Sequence, residues 1–263
     1  MQRLARVLLA SQYATMLEYR AEIALWALSG LLPFIMYGVW SEVAGRGGAA
    51  AGTGLDPAVL ARYFLAVFLV RQFTIVWVIH SFEEDLVEGR LSAQLLQPLP
   101  PVWRHLSAHL AEQATRLPFA AALAGLFVLL QPAAFQLPPA GRIVLGLLTI
   151  HLAFLLRFAL QVALAMACFW SERATALDRL LYIPYLYLSG LIAPLDTYPE
   201  PVRRFALATP FPAMVHLPAR LLAGQEVDLI AGFAVMAAWA AVLVPVSWLL
   251  WKAGLRRYSA MGA

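Results

Sequence analysis

Lysine is almost missing from this chain. Lys252 is the only one, and arginine supplies the other basic residues. Cysteine is as scarce: Cys168 stands alone, which excludes intrachain disulfides and cysteine-based zinc sites. Charge of either sign is thin, at 13% of residues against about 25% in a soluble domain. No G-x-x-x-x-G-K-[ST] run occurs, so nucleotide cannot be held by that phosphate loop, and H-E-x-x-H is absent too. No Asp-rich cluster of the kind that holds magnesium on a phospholipid substrate is present. The net charge of +4 does not point to nucleic acid, because the basic residues are scattered between apolar runs with no basic, aromatic-interleaved stripe.

Apolar residues are what the chain has: 62% of the total, with a mean hydropathy of +0.74. A soluble fold of this size could not hide so much apolar surface, whereas a bilayer is itself an apolar solvent. A spanning helix needs about 20 mostly apolar residues. Six segments qualify, near Ala21–Trp40, Val59–Ile79, Ala114–Leu130, Ile143–Phe169, Leu177–Ala193 and Leu229–Trp251. They must be helical, since lipid offers no partner to free backbone groups. The expected fold is an all-α integral membrane protein of six spans, one domain over residues 1–263. A cleaved signal is not expected. About twenty residues including Glu18 and Glu22 come before the first run or open it, and that run exceeds the usual 7–15 residues.

With the N-terminus placed in the cytoplasm, about eleven basic residues fall inside and six outside, so both termini are expected inside. Trp40, Trp170, Trp248 and Trp251 suit helix ends at headgroup level. The outer loop Gly45 to Gly54 reads as flexible. The inner loop from His80 to Arg116 reads as long and charged. His105 and His109 share a helical face at i,i+4, and a solvated face is expected there rather than a metal site. No Asp or Glu falls in the middle of a predicted span, and Glu22 and Glu112 lie near span ends. Ion-coupled carriers commonly place an acid mid-span.

Within the inner loop, Phe82, Leu86, Leu91 and Leu95 recur near the helical period, with Glu84, Glu88 and Ser92 on the polar side. The pattern predicts one short amphipathic helix against the inner membrane face, stopped by Pro98, Pro100 and Pro101. It reads either as a solvated connector or as a docking helix. Farther on, Pro194 to Asp228 carries six prolines yet is too apolar for an ordinary loop. Such a stretch is tolerable at membrane depth only if protein buries the freed backbone groups.

The string EGRLSAQLLQPLPP, with Glu84, Glu88, Gly89, Leu91, Leu95, Leu96 and Pro98 at the matching places, resembles the inner-loop signature of ABC-2 type ABC transporter permeases. The stretch Leu188 to Gly224 resembles that family's later motif at Ser189, Gly190, Pro194, Pro199, Pro210, Arg220 and Gly224. Arg71 to Thr74 and the Gln-Pro-Leu-Pro ending look most like a branch whose permeases often occur as two similar chains beside one ATPase. The resemblance implies a permease subunit of an ATP-driven exporter in the bacterial cytoplasmic membrane. It implies a second permease chain, identical or sister, and a nucleotide-binding ATPase that carries ATP and Mg, with no cofactor or catalytic residue in this chain. Residues 82 to 97 would be the coupling helix, presenting Glu83, Glu84, Asp85, Glu88, Gly89, Arg90, Leu95, Leu96 and Pro98 to the ATPase. The N-terminal stretch, with Leu4, Val7 and Leu8 on one side and Arg3 and Arg6 on another, would lie in the inner interface. Residues 194 to 224 would form two half-helices dipping into the outer leaflet. The substrate would be hydrophobic or amphipathic. An ion-coupled carrier and an intramembrane lipid-modifying enzyme are the competing readings.

Arg71 and Arg157 fall inside predicted spans. A central arginine is costly and is a functional hypothesis by default. They either attract an anionic headgroup or substrate, or snorkel to the interface and pair with acids near the coupling helix. The second reading is preferred. Ser189, Gly190 and Gly224 read as close-contact or ordinary packing positions, and Cys168 as a small apolar filler.

Overall fold

The computed structural model describes residues 2–18, 25, 28, 30–47, 56–171 and 173–258. Those residues form helices, turns and loops, with no strand among them. The helices are α1 (Gln2–Glu18), α2 (Leu32–Gly47), α3 (Pro57–Thr74), α4 (Val78–Val87), α5 (Arg90–Leu95), α6 (Pro101–Leu130), α7 (Ala140–Ala165), α8 (Thr175–Leu188), α9 (Glu200–Ala208), α10 (Phe211–Met214), α11 (His216–Leu222) and α12 (Leu229–Arg257).

Among the described residues four stretches are long and apolar enough to cross a bilayer: Pro57–Val87, Pro101–Leu130, Ala140–Phe169 and Leu229–Arg257. They match the second, third, fourth and sixth predicted spans. Much of the first predicted span and most of the Gly/Ala-rich loop lie outside the described residues, leaving α2 as a 16-residue helix. The fifth prediction is shortened. α8 has 14 residues, about 21 Å at the α-helical rise, against a hydrocarbon core of about 30 Å. It stops at Leu188 because Gly190 turns the chain at φ +86°.

The third helix begins well before the predicted Ala114. Pro100 precedes it and Pro101 opens it, the position where a missing N–H costs nothing. Its first half carries His105, His109, Glu112, Gln113 and Arg116, which hide it from a hydropathy reading. What reads as a charged inner loop is therefore largely helix, and α1 packs along it.

α7 is the centre of the bundle, with α3, α4, α11 and α12 packed on it. One core cluster joins α3, α7, α11 and α12 through residues such as Phe64, Val67, Ile150, Leu156, Leu217 and Met236. A second joins α4 to the end of α7 and the 3-10 turn Met166–Phe169 through Phe82, Leu91, Phe158 and Phe169, and it includes Cys168. The Pro-rich stretch before α12 folds as three short helices behind a 3-10 turn, Leu195–Thr197, rather than as two half-helices. Residues 210 to 219 are buried, packed mainly on α3 and α7. The protein thus supplies the cover that a proline-interrupted apolar segment needs.

Candidate functional site: an acidic hairpin and the helix break behind it

The predicted single amphipathic helix is a helical hairpin. α4 ends at Val87 and α5 starts at Arg90, with Gly89 between them at φ +72°. A side chain at that φ clashes with its own carbonyl, so Gly89→Ala is expected to destabilise by roughly 1–2 kcal/mol and Gly89→Asn by less. Melting temperatures of the two variants in detergent check the order.

The hairpin is pinned from inside. Arg90 donates from Nε to Asp85 Oδ1 at 2.8 Å and from Nη2 to Glu84 Oε1 at 3.1 Å, and it also pairs with Glu88. The bond to Asp85 and that to Glu84 push the Arg90 pKa still higher than its ordinary value. Gln94 donates to the other oxygen of Asp85 at 2.8 Å. Glu83 accepts from the Thr175 backbone N–H at 2.7 Å and from its hydroxyl at 3.2 Å, which ties the hairpin to the start of α8. Ser92 Oγ lies 2.9 Å from Tyr258 Oη at the end of α12. Phe82, Leu86 and Leu91 are buried beneath.

What the hairpin leaves outside is narrower than the set expected from sequence. The Glu84 and Glu88 side chains are 59% and 50% exposed, and Leu96 is 89% exposed just after α5, with Leu95 and Pro98 exposed beside it. Glu83 and Asp85 spend their oxygens inward.

Behind the hairpin the second span is interrupted. Residues 75–77 are not helical, so α3 and α4 are two pieces of one apolar stretch. The carbonyls and N–H groups freed by such a break must find partners. α6 and α7 provide them. Gln113 Nε2 donates to the Phe73 carbonyl at 2.7 Å. The Trp77 N–H donates to His109 Nε2 at 3.1 Å. That nitrogen is therefore an acceptor, so His109 carries its proton on Nδ1 and donates it to the His105 carbonyl at 2.7 Å. The Trp77 indole donates to Glu112 Oε2 at 2.8 Å. The Ile79 N–H reaches Gln161 Oε1 at 3.4 Å, and Gln161 donates to Asp178 on α8 at 2.5 Å.

Two expectations are corrected here. His105 and His109 do not form a solvated face; both are buried, because α6 packs against the break. Glu112 does not open its helix, since α6 starts at Pro101; it is buried there, with Arg116 Nη2 on its other oxygen at 2.5 Å. A signal for this set was present. Residues 105, 109, 112 and 116 recur at steps of four, three and four, which is one helical face.

Arg71 lies in the last turn of α3 and Arg157 within α7. Arg157 stacks its guanidinium carbon 3.8 Å above the Tyr185 ring. Arg71 Nη1 and Arg157 Nε have no hydrogen-bond partner among the described residues. The later motif sits at the opposite end of α3. Tyr63 donates to the Gly190 carbonyl at 2.8 Å and lies 3.0 Å from His216 Nδ1. Ser189 and Pro194 are buried, Pro199 precedes α9, and Pro210 is buried before α10. Arg220 joins Arg203 on Asp196, at 3.4 and 3.2 Å. Gly224 closes α11 at φ +73°, and its carbonyl accepts from Arg142 Nη1 at 2.5 Å.

The family model described as ABC-2 family transporter protein matches residues 55–262, a stretch that contains the hairpin, the break and the Pro-rich segment.

The chain belongs to the ABC-2 transporter family.

A search of curated proteins finds no match. ABC-2 membership makes this a multi-pass membrane subunit that is not itself the ATPase, and it implies in general an ATP-binding partner subunit. Among the described residues no three of His, Cys, Asp and Glu come together as a metal-holding group. In this ABC-2 chain the motif residues divide by job: Glu84, Glu88 and Leu96 face outward, whereas Glu83, Asp85 and Arg90 hold the hairpin in shape. Trp77 and Gln113, which sequence reading missed, and His109 and Glu112, to which it gave other places, join the hairpin's helix to the rest of the bundle.

Proposed function

We propose that the chain is the permease subunit of an ATP-driven exporter in the bacterial cytoplasmic membrane, and that the hairpin of α4 and α5 docks on a separate ATPase. The observation that carries this is an exposed pair of acids and an exposed leucine on a hairpin braced internally by Arg90 and Asp85 and pinned at two points to the bundle. A docking element must pass motion on, so it must be stiff. Asp85, Arg90 and Gln94 make it so, and the link from Glu83 to Thr175 carries its displacement to α8.

The break at residues 75–77 is the compliant joint in this scheme. Closing of the ATPase subunits would shift the hairpin, and α3 would change its angle to α4 there. Six spans with both termini in the cytoplasm, and two permease chains over two ATPases, complete the assembly. ATP and Mg are bound by the partner ATPase. The energy would come from ATP, and the cargo would be hydrophobic or amphipathic.

Co-purification from the native host tests the reading. The wild type should bring down a nucleotide-binding chain. Glu84→Lys combined with Glu88→Lys should reduce its recovery on the order of tenfold or more, the size expected when two docking charges become repulsive. Leu96→Asp, which leaves the Arg90 pairs intact, should do the same. Failure to recover any nucleotide-binding chain with the wild type would overturn the assignment.

A further inference from the structure

A groove of about 630 Å³ lies where α4, the start of α6, α7 and the end of α12 meet. This is within the roughly 300–1,000 Å³ of sites that hold small molecules. Its walls are apolar, formed by Phe82, Phe158, Val162, Val244, Trp251 and Leu255. Val244 is exposed, so the groove opens on the outer face of α12 rather than into the bundle. A wet groove of this composition would be costly, and at membrane depth lipid tails are what is available to fill it.

Its charge is of one sign. Lys252, the only lysine of the chain, lines the groove and rests its amino group 3.4 Å over the Trp248 ring. Arg256 and Arg257 follow in the last turn of the same helix, which has no acidic residue. Trp103, Trp170 and Trp248 are exposed large aromatics near this end, a belt that marks headgroup depth. His105 also lines the groove. It is 8% exposed, and its Nε2 has no hydrogen-bond partner; the nearest carboxylate oxygen, of Asp85, is 3.8 Å away. A lone amine at the mouth of an apolar slot, level with the tryptophans, suits an amphiphile with a negative head and a hydrocarbon tail.

We propose that this groove is a binding site for an anionic phospholipid, with one acyl chain between α4, α7 and α12 and the phosphate at Lys252. Assigning it to the cytoplasmic leaflet rests on the orientation proposed above. The preference for an anionic lipid does not.

The test uses the full chain in nanodiscs of phosphatidylcholine and phosphatidylglycerol, with a trace of either lipid carrying a photoactivatable acyl chain. Labelled positions are mapped by peptide mass spectrometry. Phosphatidylglycerol should label Val162, Val244 and Leu255 roughly fivefold more than phosphatidylcholine does, the preference one cationic side chain supplies. Lys252→Ala should remove that preference and Lys252→Arg should keep it. Val244→Trp, at an exposed position and so harmless to folding, should block labelling of Val162. Equal labelling by the two lipids in the wild type would overturn the proposal. So would labelling no denser in the groove than at the exposed Leu129 and Leu147, and so would a groove left unlabelled. ATPase recovery with Lys252→Ala should match the wild type, so this result and the docking result fail separately.

Discussion

Replacing Glu112 by alanine is expected to cost about 3–5 kcal/mol, the cost of leaving a buried charge unpaired. The charge in question is Arg116, which is 1% exposed. Its Nη2 bonds to Glu112, and its Nε and Nη1 have no partner among the described residues. Removing the carboxylate would strand a guanidinium inside the bundle and free the Trp77 indole as well. The apparent melting temperature should fall on the order of 10 °C, and the monodisperse fraction should drop with it. Glu112→Gln should cost less, because the amide oxygen still accepts from Trp77. The decisive variant combines Glu112→Gln with Arg116→Met. It removes the charge and keeps the volume, so it should melt close to the wild type. If Glu112→Ala melts within a degree or two of the wild type, Arg116 is not the stranded charge that the geometry makes it.

Gly190→Ala is the second severe change. The backbone there is at φ +86°, and an added Cβ would stand 2.5 Å from Tyr63 Oη and 3.1 Å from His216. Neither neighbour can move aside, since Tyr63 is 1% and His216 6% exposed. The positive φ costs about 1–2 kcal/mol. The overlap adds about 1–3 kcal/mol. Tyr63→Phe alone should also destabilise, because the Gly190 carbonyl and the His216 Nδ1–H lose their shared partner. The double variant should therefore cost clearly less than the two singles added together, since one removed oxygen relieves the clash. Additive losses in a thermal-melt cycle would show that the clash is not with the tyrosine oxygen.

The apolar runs near Val59–Ile79, Ile143–Phe169 and Leu229–Trp251 were legible because hydropathy is a property of the local sequence and the bilayer's demand on it is local. The hairpin's stripe was half legible. Phe82, Leu86 and Leu91 are buried as the spacing predicts, but Leu95, at the end of the short α5, is exposed. A periodicity count carries no backbone angle, so it read one helix through a left-handed residue. The start of α6 was missed for the opposite reason. Its polar face looks like loop until one knows that a broken helix lies against it.

Composition and hydropathy are enough to mark a helical membrane protein and most of its apolar spans. The sequence also points to two motifs that resemble those of ABC-2 permeases, both inside the stretch that the family model matches. Packing in three dimensions sets which motif acids face outward, breaks the span before the hairpin, and brings His109, Glu112 and Gln113 to that break. The reason is that burial in lipid depends on composition over about twenty residues, whereas a buried polar partner comes from wherever the chain returns in space. Phe73 and Gln113 are distant in sequence, and only packing puts the amide on the carbonyl.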